Sequence, residues 1–280
     1  VTGDFAAPVT AVREAVARAL AEDLGVLGDL TSTALIPADA TGTGHFVARV
    51  PGVLAGTAVA SEVFAQLDPA VTVTWAVGDG DVLAAGQRLG MVHGPLRSIL
   101  TGERSALNFL GHLSGIATLT RAHVEACGGR ARIRDTRKTT PGLRSLEKAA
   151  VRAGGGANHR GNLSDAILVK DNHLRTCTIA EAVDRARARW PGVVVEVECD
   201  TLDQLAEAKT AGADLALLDN MSPDEVAKAV AIAAGALPLE VSGRVTLETV
   251  AAYAAAGADL ISIGALTHSA PVLDIALDLE

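Results

Sequence analysis

Six short apolar runs recur along the second half of the chain, each closed by a polar or small residue and followed by a few loop residues and an amphipathic stretch. They are Ala131 to Ile133, Ala166 to Val169, Val193 to Val197, Leu215 to Leu218, Pro238 to Val241 and Leu260 to Ile263. Strands separated by helices of about 10 to 15 residues pair in parallel, because the returning helix sets each strand in the direction of the last. Six or more units of nearly equal size favour a closed barrel over an open sheet. The expected fold class is α/β, a parallel α/β barrel preceded by a smaller α/β domain.

That smaller domain opens with an amphipathic helix in VTGDFAAPVTAVREAVARALAEDLG, which alternates charge with Ala and lacks the basic start and apolar block of a secretion signal. Residues 41 to 97 are rich in Val, Thr and Gly, with alternating runs such as VTVTW and turns such as GDGD, and predict a small antiparallel sheet. A helical period returns in TGERSALNFLGHLSGIATLTRAHVEAC, with Thr101 as the expected N-cap and Leu107, Leu110 and Leu113 on one face. The expected boundaries are an N-terminal domain over 1–110, rejoined by the tail 267–280, and a barrel domain over 111–266.

Composition removes several classes of function. Aromatic residues make up 2% of the chain and the net charge is −9, so stacking platforms and a basic groove for nucleic acid are missing. The most apolar stretch, Val226 to Val241, is interrupted by Lys228, Gly235 and Pro238, so no membrane span is expected. Cys127, Cys177 and Cys199 are odd in number and far apart, and the seven His residues show no metal spacing. The cysteine pattern fits reduced thiols in a cytoplasmic protein better than a disulfide or zinc framework.

Charge is distributed unevenly. Between Arg130 and Arg175 lie 11 of the 24 Lys and Arg residues against 4 carboxylates, a local balance of +7 inside an acidic chain. Such an island repels itself unless it holds an anion or fans into water. Its cations are interleaved with Gly, Thr, Asn and His, as in a walled pocket for a small polyanion. On α/β barrels the active site lies at the C-terminal ends of the strands. Those ends are Arg134 and Asp135 with Arg137 and Lys138; Lys170; Glu198; Asp219; Ser242 with Gly243; and Gly264. Early strands supply cations, middle strands carboxylates and late strands small residues. The segments VSGRVT and SIGALTHS suit the backbone phosphate sites that follow the last two strands of such barrels.

A polar residue after a strand is often only the cap of the next helix. Here Thr201 with Gln204, and Ser222 with Pro223 and Glu225, already form helix starts, which leaves Glu198 and Asp219 spare. Ser242 and Gly243 are spare in the same way if Thr246 caps the last barrel helix. Arg137 and Lys138 stand among the hydroxyls of Thr136, Thr139 and Thr140. Lys170 follows the run AILV, which implies a walled-in stem and an anionic partner. His159 precedes Arg160 and follows Gly154, Gly155 and Gly156, which permit close backbone approach.

With these residues in view, the chain resembles the quinolinate phosphoribosyltransferase family nearly end to end. The resemblance rests on EDLGVLGDLTS, GERSALNFLGHLSGIAT, the long block RDTRKTTPGLRSLEKAAVRAGGGANHRGNLSDAILVKDNH, VEVECDTLDQL, LLDNMSP, LEVSGRVTLE and GADLISIGALTHSAP. It implies an incomplete barrel beside a sandwich-like N-terminal domain, and a homodimer or larger assembly with a shared active site. Arg104, in GERSALNFL, matches the arginine that the family draws from the partner subunit. Quinolinate-binding positions carry over to Thr136, Arg137, His159, Arg160 and Lys170. Those for phosphoribosyl pyrophosphate carry over to Glu198, Asp219, Ser242, Gly243, Arg244, Ile263, Gly264 and Ala265, with His268 nearby; Lys138, in the same segment as Thr136, is read as the partner of the departing pyrophosphate. The catalytic set implied is Lys138, Lys170, Glu198 and Asp219. Mg²⁺ is expected to be held mainly by substrate oxygens and water, near Glu198 and Asp219, with no dedicated protein cage.

The chain departs from the family pattern at Arg244, where a second Gly usually follows Ser-Gly, and at Ala149, where an aromatic is frequent. Two other readings compete: a related phosphoribosyltransferase acting on another acid, and a non-catalytic sensor of an anionic metabolite. A sensor could keep the cations but would have no use for spare carboxylates at Glu198 and Asp219.

Overall fold

The computed structural model describes residues 5–280; the first four residues of the expected N-terminal amphipathic segment lie outside them. Two compact units emerge, one formed by residues up to 121 with 139–155 and 266–280, the other by 122–138 with 156–265.

The first unit is built on an antiparallel sheet. Its long strands β1 (Thr41–Ala48) and β5 (Arg88–Pro95) pair along most of their length, flanked by β3 (Thr72–Trp75) and by the C-terminal β12 (Ile275–Leu279). The alternating run VTVTW forms β3 as expected, and a two-residue ladder joins β2 (Gly52–Val53) to β4 (Val82–Leu83). Helices α1 (Val9–Leu24), α2 (Leu30–Leu35), α3 (Thr57–Leu67), α4 (Leu96–Cys127) and α5 (Arg144–Ala153) complete the element set of this half. Phe46, Phe64 and Leu89 are fully buried, with Phe46 stacked on Trp75 at 4.8 Å and edge-on to Phe64 at 6.4 Å. Each such side chain contributes about 1.5–3 kcal/mol through burial.

Two local expectations are corrected here and two hold. Helix α4 begins at Leu96, so Thr101 is interior rather than an N-cap, and its hydroxyl donates back to the Arg97 carbonyl and to Asp29. The face carrying Leu107, Leu110 and Leu113 is buried as read. The close backbone approach expected at Gly154 is present, against helix α4: a Cβ there would lie 2.4 Å from the Ala117 carbonyl oxygen. The Thr139 hydroxyl turns to α5, where Oγ1 accepts from Arg144 Nε, and the Thr140 backbone N–H donates to Glu147 of the same helix.

In the second unit the apolar runs become β6 (Arg132–Arg134), β7 (Ile167–Val169), β8 (Val195–Cys199), β9 (Leu215–Asp219), β10 (Leu239–Ser242) and β11 (Leu260–Ser262). All pair in parallel, in the order β6-β11-β10-β9-β8-β7. Sequence neighbours are sheet neighbours from β7 to β11, and β11 returns to β6, which is the cyclic order of a barrel opened at the seam between β6 and β7. Beyond β6 lies a single parallel bridge, Arg134 to Ala157.

Helices α6 (Ile179–Arg189), α7 (Leu202–Thr210) and α8 (Pro223–Ala233) each start on a capping box, at Thr178, Thr201 and Ser222. Glu198 and Asp219 are therefore free of capping duty, as read. Helix α9 (Val250–Ala255) differs: its N-cap is Thr249, without a side-chain cap bond, while Thr246 heads the preceding turn. The four-residue α10 (Ala265–His268) follows β11. No described helix is long and apolar enough to cross a membrane.

Candidate active site

A cleft of about 690 Å³ opens at the C-terminal ends of the parallel strands. Leu168, Leu217 and Ser262 form its floor, and polar residues from successive strand ends form its wall. After β6 come Thr136, Arg137 and Lys138, where the Lys138 N–H donates to Thr136 Oγ1 at 3.0 Å and sets the turn. From the loop before β7 come His159 and Arg160, then Lys170, Glu198, Asp219 and the group Ser242, Gly243 and Arg244.

Of the expected site residues, Thr136, Arg137, Lys138, His159, Arg160, Lys170, Glu198, Asp219, Ser242, Gly243 and Arg244 meet in this one cleft. Ile263 does not line it, because its side chain is buried in the core, and Gly264 and Ala265 sit at the β11–α10 junction outside the lining. His268 is exposed and bonded to Ser269 at 2.7 Å. Arg104, on α4 of the first unit, borders a separate groove with Leu107, Asn108 and Asp274.

The basic island divides accordingly. Only Arg137, Lys138, Arg160 and Lys170 of its 11 cations line the cleft. Arg152 bonds the Phe5 and Ala6 carbonyls, and Arg134 lies deeper, paired with Glu240 and the Asn158 carbonyl.

Lys170 is not walled in, as the preceding apolar run suggested. Its side chain is 43% exposed, and its ammonium pairs directly with Glu198, which is 13% exposed. The run AILV buries the strand, whereas the residue after it reaches the rim. Arg160 is held by its Nη1 bond to the Ala166 carbonyl at 3.0 Å, and burial together with the charge of Arg137 pulls its guanidinium below its ordinary pKa. Two guanidinium groups kept this close favour an anion between them.

The loop bearing His159 and Arg160 is fixed by residues that sequence reasoning did not assign. Asp135, fully buried, accepts from the His159 N–H at 2.8 Å and from Asn158 Nδ2 at 2.5 Å, while Asp165 accepts from the Gly161 N–H at 2.7 Å. A carboxylate directly after a short strand, followed some twenty residues later by Asn-His-Arg, was the available signal.

On the far side of the cleft, Asp219 accepts from Asn220 Nδ2 at 2.6 Å and is in register with Ser242. Backbone at Asn220, Gly243 and Arg244 is left-handed, with φ of 55, 99 and 50°. Gly243 is obligatory on packing grounds as well, since a Cβ would lie 2.3 Å from Asn220 Oδ1. Consecutive turns of this kind leave backbone N–H groups available to an anion.

A parallel α/β sheet carrying cations on its early strand ends, carboxylates on its middle ones and a tight small-residue loop on a late one defines an enzyme class that handles phosphate and carboxylate groups together. Family models described as the N-terminal and C-terminal domains of quinolinate phosphoribosyl transferase match residues 29–114 and 116–278. A nicotinate-nucleotide pyrophosphorylase [carboxylating] of Mycobacterium leprae is 46% identical over 278 residues, covering 96% of this chain and 97% of that one. A probable enzyme of the same name from Bacillus subtilis is 45% identical, covering 92% and 90%. The solved nicotinate-nucleotide pyrophosphorylase of Francisella tularensis superposes with a TM-score of 0.93 at 40% identity, covering 98% of each chain. The chain belongs to the quinolinate phosphoribosyltransferase family.

Proposed function

We infer that the protein transfers the phosphoribosyl group of phosphoribosyl pyrophosphate to the nitrogen of quinolinate and releases pyrophosphate and CO₂, forming nicotinate mononucleotide for NAD synthesis. The observation that carries this reading is the convergence of five cations and two spare carboxylates in one cleft, in a chain nearly half identical to enzymes named for this chemistry.

Quinolinate presents two adjacent carboxylates, and planar guanidinium groups grip carboxylates in a fork. Arg137 and Arg160 supply that grip, Lys170 adds a third cation, and Arg104 of a second copy supplies a fourth in a homodimeric or larger assembly. Displacement of pyrophosphate leaves positive charge on the ribose, which carboxylates stabilise. Glu198 and Asp219 stand at the ends of adjacent strands and hold the ribose hydroxyls and that developing charge. Lys138 takes the departing pyrophosphate, and Ser242, Gly243 and Arg244 the 5′-phosphate. Attack by nitrogen makes the ring cationic, so the electrons of the C2–carboxylate bond can be retained on the ring as CO₂ leaves; a proton then takes its place at C2.

The carboxylates at the rim suit Mg²⁺ held chiefly through water and substrate, since Asp219 and Glu198 are separate side chains rather than a cage. When bound, the ion neutralises pyrophosphate oxygens. All three cysteines are free thiols, which supports a cytoplasmic setting.

The test is to incubate the purified protein with quinolinate, phosphoribosyl pyrophosphate and Mg²⁺ and follow nicotinate mononucleotide. Formation of the nucleotide supports the reading. Binding without turnover would favour a sensor, and turnover of another acid in preference to quinolinate would favour a sister transferase.

A further inference from the structure

Directly beneath the cleft floor lies a polar layer that the reaction scheme leaves unused. Glu196 is two residues before Glu198 on β8, and Glu240 two before Ser242 on β10, so each shares the inward face of its strand with a rim residue one layer above. Both are buried, at 2% and 0% exposure. Glu240 is bound by Arg134 and by the Ser262 hydroxyl. His159 enters from the loop before β7, with its Nε2 3.2 Å from Glu196 Oε2 and 3.4 Å from Glu240 Oε1. Its other nitrogen, Nδ1, accepts the Arg160 backbone N–H at 2.7 Å.

This arrangement decides the chemistry of the imidazole. A ring nitrogen that accepts an amide N–H carries no proton of its own, so the proton of neutral His159 sits on Nε2 and points at the carboxylates. The same fact argues against a metal among His159, Glu196 and Glu240, although their donor atoms lie within 4.8 Å of one another. A protonated Nε2 has no lone pair to give, and Glu240 is already bound by Arg134 and Ser262. With both nitrogens turned into the chain, His159 faces the cleft as a ring and not as a hydrogen-bond donor.

Glu196 has further reach. Its Oε1 and the Nε of Arg160 are buried without a hydrogen-bond partner among the described residues. The charge of Glu196 also acts on the Arg160 guanidinium, opposing the repulsion from Arg137.

We propose that Glu196 is a positioning residue for the acid pocket: it holds His159 as the neutral Nε2–H tautomer, so that His159 walls the pocket and orients Arg160, while Arg137, Arg160 and Lys170 alone grip the carboxylates. This rests on the reading of the cleft as a quinolinate site. It removes His159 from the set of direct carboxylate ligands that the family resemblance implied, and it gives a role to a residue that no comparison assigns.

The test uses the full-length protein labelled with ¹⁵N-histidine at pH 7, with His159 identified by comparison with the His159→Asn protein. The expected spectrum is a neutral Nε2–H ring, unchanged on adding quinolinate. An imidazolium, or a proton on Nδ1, overturns the proposal. Glu196→Ala should raise the KM for quinolinate by about tenfold, with kcat and the KM for phosphoribosyl pyrophosphate within about threefold of the starting protein. Glu196→Gln, which keeps an acceptor for Nε2–H, should restore it. Equal losses for both substrates, or a Gln variant as impaired as Ala, overturn the proposal. Should Glu196→Ala not fold, the spectrum and the Gln variant decide. If the unaltered protein turned over no quinolinate, the reading of the cleft would fall while the tautomer would still be decided by the spectrum.

Discussion

The ammonium of Lys170 and the carboxylate of Glu198 are joined across the ends of β7 and β8, so a cation assigned to one substrate neutralises a carboxylate assigned to the other. On the proposed roles, loading the cleft divides that pair, with the acid taking Lys170 and Glu198 turning to the ribose. Lys170→Ala and Glu198→Ala should each lower kcat/KM strongly, and the double variant should lose less than the two losses added, with a coupling of about 1–3 kcal/mol. Because Lys170 is nearly half exposed, stability should change by less than about 1 kcal/mol. Losses that add, or melting temperatures that fall in step with activity, would contradict this.

The cations of the cleft predict selectivity for a di-acid. A charge-assisted hydrogen bond contributes about 1.5–3 kcal/mol, so a mono-acid such as nicotinate, which forgoes two of them, should bind at least about a hundredfold more weakly. Calorimetric titration of both acids measures the ratio. Similar affinities would show that the guanidinium pair does not grip the second carboxylate.

Arg244 keeps a side chain at a left-handed φ of 50° in the cleft, beside Ser242 and Gly243. That conformation strains a non-glycine residue by roughly 1–2 kcal/mol, partly offset by the greater backbone entropy of glycine in the unfolded chain. Arg244→Gly should leave stability unchanged or raise it by about 1 kcal/mol, and should raise the KM for phosphoribosyl pyrophosphate but not for quinolinate. Destabilisation together with unchanged kinetics would remove Arg244 from the site.

The proposed donation of Arg104 by a second copy can be tested by complementation. Arg104→Ala and Lys170→Ala subunits should each be impaired, and mixing them should recover activity, because one site of a hybrid dimer keeps both residues. A mixture no better than its parents would rule out donation of Arg104 in trans.

The three thiols differ sharply. Burial pushes the Cys199 thiol up to about 12 and raises that of Cys127, whereas Cys177 is half-exposed. Alkylation of the folded protein at pH 8 should label Cys177 alone, as read by mass spectrometry of the digest; modification of Cys199 would show that β8 is not buried.

Much of the site could be read before the fold was known. Capping boxes at Thr201 and Ser222 showed where α7 and α8 begin, and so freed Glu198 and Asp219 for chemistry. The layer beneath was hidden by an ambiguity of period. In VEVEC the glutamates alternate as they would on a solvent-facing strand, yet β8 sits in a sheet curled toward a barrel, where the alternate face is interior and polar. Glu240 was obscured in the same way, and Arg134, read as a strand-end residue of the rim, pairs with it in this layer instead. The basic island misled in the other direction, because sequence proximity grouped Arg144, Lys148 and Arg152 with Arg137, although α5 packs into the first unit.

The central claim is that one rim both grips the di-acid and delivers the ribose cation that makes its carboxylate leave. Quinolinate labelled in the C2 carboxyl group tests it most directly. Labelled CO₂ should appear one-for-one with nicotinate mononucleotide, and not at all when phosphoribosyl pyrophosphate is withheld; release of label without the sugar phosphate, or nucleotide that still carries the label, would contradict it.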